Sequence, residues 1–356
     1  MVLMNLSSMK KTAPTTALAA TAADVAREAG VGVATVDRVI NRRARVRPET
    51  AERVLAAAEK LGFHRAGLIR ARLSEQAGRL RLGFVLQSRA SPFYRELGRE
   101  LAGAARAASA AVASAEVLHL DDLAPARVAA ALLDLAGRCD AIGLVAADHP
   151  QVGEAIAALQ ARGVPVFALV SDLPAAVAGY VGIDHRKVGR SAAWLMARLC
   201  RRPGPIGLVL GSHRYLCQEQ CEISFRSHLR EFAPDFPVLE TLVSLENTEL
   251  AEQATLELLH RHPDLVGVYV AGGGIEGVVR GLQTLRPPGL VTICHDLTEV
   301  TQQALLDGRV TVVLSHPRDW IAARSVQDMI DALAADAPAG KVQTILPFTT
   351  FTAASV

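Results

Sequence analysis

The chemistry this chain can do is concentrated in a few short stretches. The first is Thr21–Asn41, TAADVAREAGVGVATVDRVIN, which reads as two short helices joined by a glycine turn. The second helix presents Arg38. A compact basic unit of this kind suits the DNA major groove, so nucleic-acid binding is the first expectation. The second stretch is Gly272-Gly273-Gly274-Ile275-Glu276-Gly277, which satisfies G-x-G-x-x-G after an apolar run, with Asp296 about 20 residues further on. That makes an NAD-binding enzyme the rival reading, although the fingerprint falls late in the chain and Glu276 would crowd a pyrophosphate. Cys217 and Cys221 stand four apart without a second pair, so no metal site is expected. There is no G-x-S-x-G, H-E-x-x-H or G-x-x-x-x-G-K, which argues against the common hydrolase designs. The expectation is a protein that is not an enzyme and carries no cofactor.

These residues need elements to hold them. The 356 residues imply more than one domain. No apolar run approaches the roughly 18 residues that span a bilayer. Residues 1–20 read as a disordered leader rather than a signal peptide, and five cysteines without framework spacing fit a reducing, cytoplasmic setting. Residues 1–81 carry 15 Lys and Arg against 7 Asp and Glu, a net of +8. Residues 82–356 carry 23 against 29, a net of −6. A basic head on an acidic body is expected if only the head meets phosphate.

Residues 21–63 predict a three-helix DNA-binding head. Thr21 and Asp24 fit a capping box, and Pro48 fits the first turn of the third helix. Val25, Ala29, Val36, Val39, Ile40, Val54 and Ala58 recur at helical spacing as its core. Residues 64–79 form a basic linker with a helical piece near Leu68–Leu73. From Leu80 to Val356, short apolar runs alternate with amphipathic stretches, which predicts parallel sheets covered on both faces. About 275 residues exceed one core, so two doubly wound lobes with a cleft are expected. The chain should cross between them after Ile183 and again near Leu314.

A three-helix head, a short basic linker and a bilobed α/β body resemble the LacI family of transcription regulators. The match is carried by Asp24-Val25-Ala26, Ala29-Gly30-Val31, Thr35-Val36, Arg38-Val39-Ile40-Asn41 and Pro48-Glu49-Thr50. The body resembles type I periplasmic sugar-binding proteins through SPFY, GIDH and the CHD run. The resemblance implies that the second helix enters the major groove, with Val33, Ala34 and Arg38 facing base edges. A guanidinium can take guanine O6 and N7 together, so Arg38 carries most of the expected readout. Thr21, Thr35 and Asn41 suit phosphate and capping contacts. Asp37 departs from the family's usual serine; it would repel phosphate unless it accepts from a cytosine amino group or braces Arg38. Arg42, Arg43, Arg45 and Arg47 either grip backbone or form a solvated face. The family's linker inserts a leucine into the minor groove; here Leu68, Ile69 and Leu73 are the candidates, and His64-Arg65-Ala66 stands where a proline is usual.

The resemblance also implies a double-stranded DNA operator, a homodimer and a small effector held at the C-terminal ends of the strands. A repressor responding to a sugar or polyol is the expected function. Phe93 and Tyr94 resemble aromatics that stack on sugar rings. Asp296 could accept from hydroxyls. Asp148, Asp172, His213, Arg214 and Glu276 are further candidates. Cys221, Gly273 and Ser315 stand where arginine, asparagine and glutamine are common, so the implied cleft differs from that of the sugar binders. A transporter's solute-binding protein would need export, which the basic head contradicts.

Overall fold

The computed structural model describes residues 20–41, 46, 48–66, 69, 79–285, 287–335 and 340–356. The expected leader at 1–19, the run at Arg42, Arg43, Arg45 and Arg47, and the wedge candidates Leu68 and Leu73 lie outside the described residues. The chain divides into two compact units, Met1–Arg79 and Leu80–Val356.

In the first unit, α1 (Ala22–Glu28), α2 (Val33–Asn41) and α3 (Pro48–Lys60) enclose a small core. Thr21 caps α1 through a full capping box: its Oγ1 accepts from Asp24 N at 3.3 Å, and Asp24 Oδ2 accepts from Thr21 N at 3.0 Å. Gly30 takes the turn at φ +63°, a conformation open to glycine at no steric cost. Val25, Val36, Val39, Ile40, Val54 and Ala58 meet in the centre. Ile69 joins them, fully buried, so it packs within its own head and is not offered to a groove.

One clamp was not foreseen. Arg53 of α3 donates to Ala29 O at 2.6 Å and to Gly30 O at 3.2 Å, tying α3 to the α1–α2 turn. Arg53→Ala is expected to loosen that turn by about 1 kcal/mol, the net worth of one such bond. Amide exchange at Gly30 and Val31 should quicken roughly fivefold. Unchanged protection would show that the clamp contributes nothing.

The second unit alternates β1 (Leu80–Gln87), α4 (Pro92–Ala107), β2 (Val112–Leu120), α5 (Pro125–Leu135), β3 (Ala141–Leu144), α6 (Pro150–Ala161), β4 (Val166–Leu169) and β5 (Gly179–Ile183). It then runs α7 (His185–Leu199), β6 (Ile206–Leu210), α8 (Leu216–Phe232), β7 (Val238–Val243), α9 (Thr248–Arg261), β8 (Gly267–Val270), α10 (Ile275–Thr284), β9 (Val291–His295), α11 (Glu299–Leu306) and β10 (Val312–Ser315). It ends with α12 (Arg318–Ala334), β11 (Val342–Leu346) and β12 (Thr349–Phe351).

Two six-stranded sheets result, ordered β11-β5-β4-β3-β1-β2 and β12-β10-β9-β8-β6-β7. All pairings are parallel except β10 with β12. Central strands such as VFAL in β4 are buried throughout, as a sheet covered on both faces demands. The first sheet lies between α5 and α6 on one face and α4 and α12 on the other. The second lies between α7 and α8 on one face and α9, α10 and α11 on the other.

The chain passes between lobes after Ile183 and after Ser315, as expected. It also crosses a third time, between β11 and β12, which the sequence reading did not anticipate. The second lobe thereby gains an antiparallel edge strand.

Candidate functional site

The head presents an exposed stripe of mixed character on α2. On α2, Val33, Ala34, Arg38 and Asn41 are exposed, while Val36, Val39 and Ile40 are buried. Thr35 and Asp37 are half-buried. Asp37 Oδ1 accepts from Asn41 Nδ2 at 2.6 Å, so part of each polar group's capacity is spent within the helix.

Where the strands of the two lobes end, a cleft of about 890 Å³ opens. That is the size of a site for a small organic ligand. The sequence candidates Phe93, Tyr94, Gly273, Glu276 and Asp296 all line it. Phe93 is only 7% exposed and packs in the first lobe's core, edge-on to Tyr94 at 5.0 Å; the half-buried Tyr94 offers more surface.

Five candidates do not line the cleft. Asp172 is ion-paired to Lys341 Nζ at 2.7 Å. His213 is bound to Glu222 at 2.8 Å on an exposed rim. Asp148 and Arg214 sit on loops that close on each other, with Asp148 N donating to Arg214 O at 2.8 Å. Ser315 is buried and its hydroxyl is used locally: it accepts from Leu297 N at 3.1 Å and donates to His316 O at 3.3 Å.

The cleft is also lined by a buried polar ladder, in which Asp296 was a sequence candidate and the histidines were not. Asp296 follows β9 directly at φ +62°, a left-handed conformation that aspartate tolerates better than most residues. Its Oδ1 accepts from His316 N at 3.0 Å and lies 2.8 Å from His316 Nδ1. The Nε2 atoms of His316 and His185 are 3.2 Å apart. Beside them, His295 Nε2 meets Tyr269 Oη at 2.8 Å.

Burial acts to raise the Asp296 carboxyl, but the adjoining His316 outweighs it and the pKa is lowered. His185 is held well below the usual imidazole range by burial, and by His316 and His295 after that. His295 is held to about 4 by burial, against the pull of Asp296. Cys221 is fully buried in the second lobe's core, where its Sγ meets His185 O at 3.4 Å, and it does not line the cleft.

The opposite rim was missed. α8 starts at Leu216, which brings Gln218 into the site. Its Oε1 accepts from Gly211 N at 2.7 Å, and its Nε2 donates to Glu246 Oε1 at 2.7 Å. Glu246 and Leu245 both adopt positive φ, 60° and 54°. Two such residues in succession hold strain that a functional loop can justify. Burial, joined by Glu276, raises the Glu246 carboxyl to about 7, against the hydrogen bond from Gln218.

The glycine run follows β8 and opens α10, the setting the dinucleotide fingerprint needs. Packing accounts for it without a dinucleotide. A Cβ at Gly274 would stand 2.6 Å from Ala251 Cβ, and one at Gly277 2.0 Å from Thr248 O, so α9 and α10 touch only because these side chains are missing. Glu276 then places a carboxylate in the first turn, where a pyrophosphate would have to sit.

A two-lobed α/β receptor with a ligand-sized cleft and a helix-turn-helix head is the class these features define. Residues 82–337 match the family model for the periplasmic binding protein domain, and the chain belongs to that family. Residues 21–66 match the model for bacterial regulatory proteins of the lacI family, so the head is a LacI-type DNA-binding domain.

Catabolite control protein A of Priestia megaterium is 38% identical over 76 residues, covering 21% of this chain and 22% of that protein. The maltose regulon regulatory protein MalI of Escherichia coli (strain K12) is 42% identical over 74 residues, 21% of each chain. The alignments thus span about a fifth of these relatives. GanP, a glucose-galactose binding protein from Geobacillus stearothermophilus, superposes with a TM-score of 0.70 at 18% identity, covering 78% of this chain and 99% of that one. At that identity the likeness establishes the fold. Among the described residues no helix is long and apolar enough to cross a membrane.

Proposed function

We propose that this protein is a cytoplasmic, homodimeric transcription regulator, a repressor that binds a DNA operator and responds to a sugar-like effector. The observation that carries the reading is the presence in one chain of a LacI-type head and a receptor body whose cleft is built for a small ligand. The similarity of the head to two regulators, and of the body to a glucose-galactose binder, supports it.

Arg38 would read a base in the major groove, with Val33 and Ala34 touching apolar edges and Thr35 on phosphate. Two heads related by a dimer axis would read a pseudo-palindromic site. Tyr94, Glu246, Glu276 and Asp296 would meet the effector. The ion pair Arg95–Glu299, 2.7 Å long, already bridges the two lobes across the cleft mouth. Effector binding would change how the lobes approach, and it weakens DNA binding only insofar as the effector prefers the DNA-incompetent arrangement.

Binding of the full chain to fragments selected from genomic DNA tests this directly. Affinity should fall linearly with the logarithm of salt, by about 0.9 for each phosphate neutralised. A matching effector should weaken operator binding roughly 5- to 150-fold. A protein with no salt-sensitive affinity for any fragment would overturn the reading.

A further inference from the structure

The cleft carries uncompensated negative charge. Glu246 and Glu276 both line it, and neither is within ion-pair distance of a basic group among the described residues. The two arginines of the lining are paired elsewhere, Arg95 with Glu299 at 2.7 Å and Arg280 with Glu252 at 3.6 Å, and Arg280 offsets the Glu276 charge only in part. Glu246 reaches only a neutral amide, Gln218 Nε2. Its carboxylate lies over the glycine loop so closely that a Cβ at Gly273 would stand 2.6 Å from Oε1.

A second, independent observation comes from the facing lobe. Gln87 ends β1 in the lining of the same cleft and is only 3% exposed, yet its Nε2 makes no hydrogen bond of good geometry, the Gln87 amide acting on the Tyr215 hydroxyl only as a minor influence. A donor buried to that degree normally has an acceptor.

Resting on the reading that this cleft is the effector site, we propose that it takes a polyhydroxylated primary amine. The ammonium is held by Glu246 and Glu276, and one hydroxyl or ring oxygen accepts from Gln87 Nε2. An ammonium supplies three donors and a full charge to two carboxylates that make no ion pair among the described residues, Glu246 having one neutral amide donor and Glu276 a backbone donor and the field of Arg280. The C–H face of such a ligand suits the half-buried Tyr94 ring. A bare metal ion does not fit, since no group of three or more ligating side chains exists among the described residues. A simple diamine would leave Gln87 without its acceptor.

Calorimetric titration of the full chain at pH 7 tests this with glucosamine and galactosamine, set against glucose, galactose, the two N-acetyl derivatives and putrescine. At least one amine should bind roughly ten- to a hundredfold tighter than its neutral parent, the worth of a charge-assisted bond. Glu246→Gln and Glu276→Gln should each remove most of that ratio, and Gln87→Leu should weaken the amino sugar while leaving putrescine unaffected. Three results would overturn the proposal: a neutral or N-acetylated sugar binding as tightly as its amine, putrescine binding as tightly as the amino sugars, or no binding by any amine. Salt-sensitive DNA affinity measured on the same preparation separates the two readings, since the effector's identity can fail while DNA binding stands.

Discussion

Arg38→Ala is expected to lower specific operator affinity by roughly 1–3 kcal/mol and to relax the preference at one base position on each half-site. The magnitude follows from what α2 offers. Val36, Val39 and Ile40 are turned into the head's core, which leaves Val33, Ala34, Arg38 and Asn41 on the exposed stripe. Val33 and Ala34 carry no donor or acceptor on their side chains, and Asn41 already donates to Asp37 at 2.6 Å. Arg38 is therefore the one residue of that stripe with several uncommitted donors in a planar fork. Truncating it leaves the core untouched, so the head should unfold at the wild-type temperature. The salt dependence separates two roles. A base contact leaves the slope nearly unchanged while discrimination falls; a phosphate contact lowers affinity equally on all sequences and reduces the slope by about 1. Unchanged discrimination would remove Arg38 from the readout.

Why the head was legible is plain from its residues. Capping at Thr21, a glycine turn at Gly30 and an apolar period of 3.6 all act within a few positions, so local sequence specifies them. The same holds for the alternation of buried strands and amphipathic helices across Leu80–Ala334. The third crossing was not legible because β11 and β12 carry a weak signal. VQTIL alternates at a half-exposed edge, and TTF is three residues long. Nothing local in either strand says which sheet it joins; only long-range pairing with β5 and β10 decides that.

The cleft was read less well, for a geometric reason. Strand order places every C-terminal loop on the same side of its sheet, but it does not say which loops face the ligand and which face each other. Asp148 and Arg214 were expected in the site by that rule, and their loops instead meet backbone to backbone. Glu246 escaped attention because its place in the cleft depends on two successive left-handed residues, Leu245 and Glu246, neither of them a type that marks such a turn. His185 and His316 are 131 positions apart in the sequence, and no spacing rule brings their Nε2 atoms within 3.2 Å.

Glu246→Gln should make the body more stable while impairing recognition of a cationic ligand. The carboxyl titrates at 4.5 in an unfolded chain and at about 7 in the folded protein. Between those values the folded state binds more protons, so this group's contribution to stability falls as pH rises through the window. Above pH 7 both states are ionised, and the folded one bears the full cost of a poorly compensated buried charge. At 1.36 kcal/mol per pH unit the shift corresponds to about 3 kcal/mol, and partial exposure of the side chain reduces it to about 2 kcal/mol.

Glutamine keeps the shape, its own Oε1 can accept from Gln218 Nε2 while Gln218 Oε1 goes on accepting from Gly211 N, and it does not titrate. The variant's gain over wild type should therefore be near zero at about pH 4 and reach about 2 kcal/mol at about pH 8. His185 and His295, whose lowered pKa values make wild-type stability fall as pH drops below about 6.5, act equally in both proteins and cancel in the difference. Denaturant unfolding of both chains at the two pH values gives the comparison. A difference independent of pH would mean that Glu246 is well solvated, and that the cleft holds no unmet charge for a ligand to neutralise.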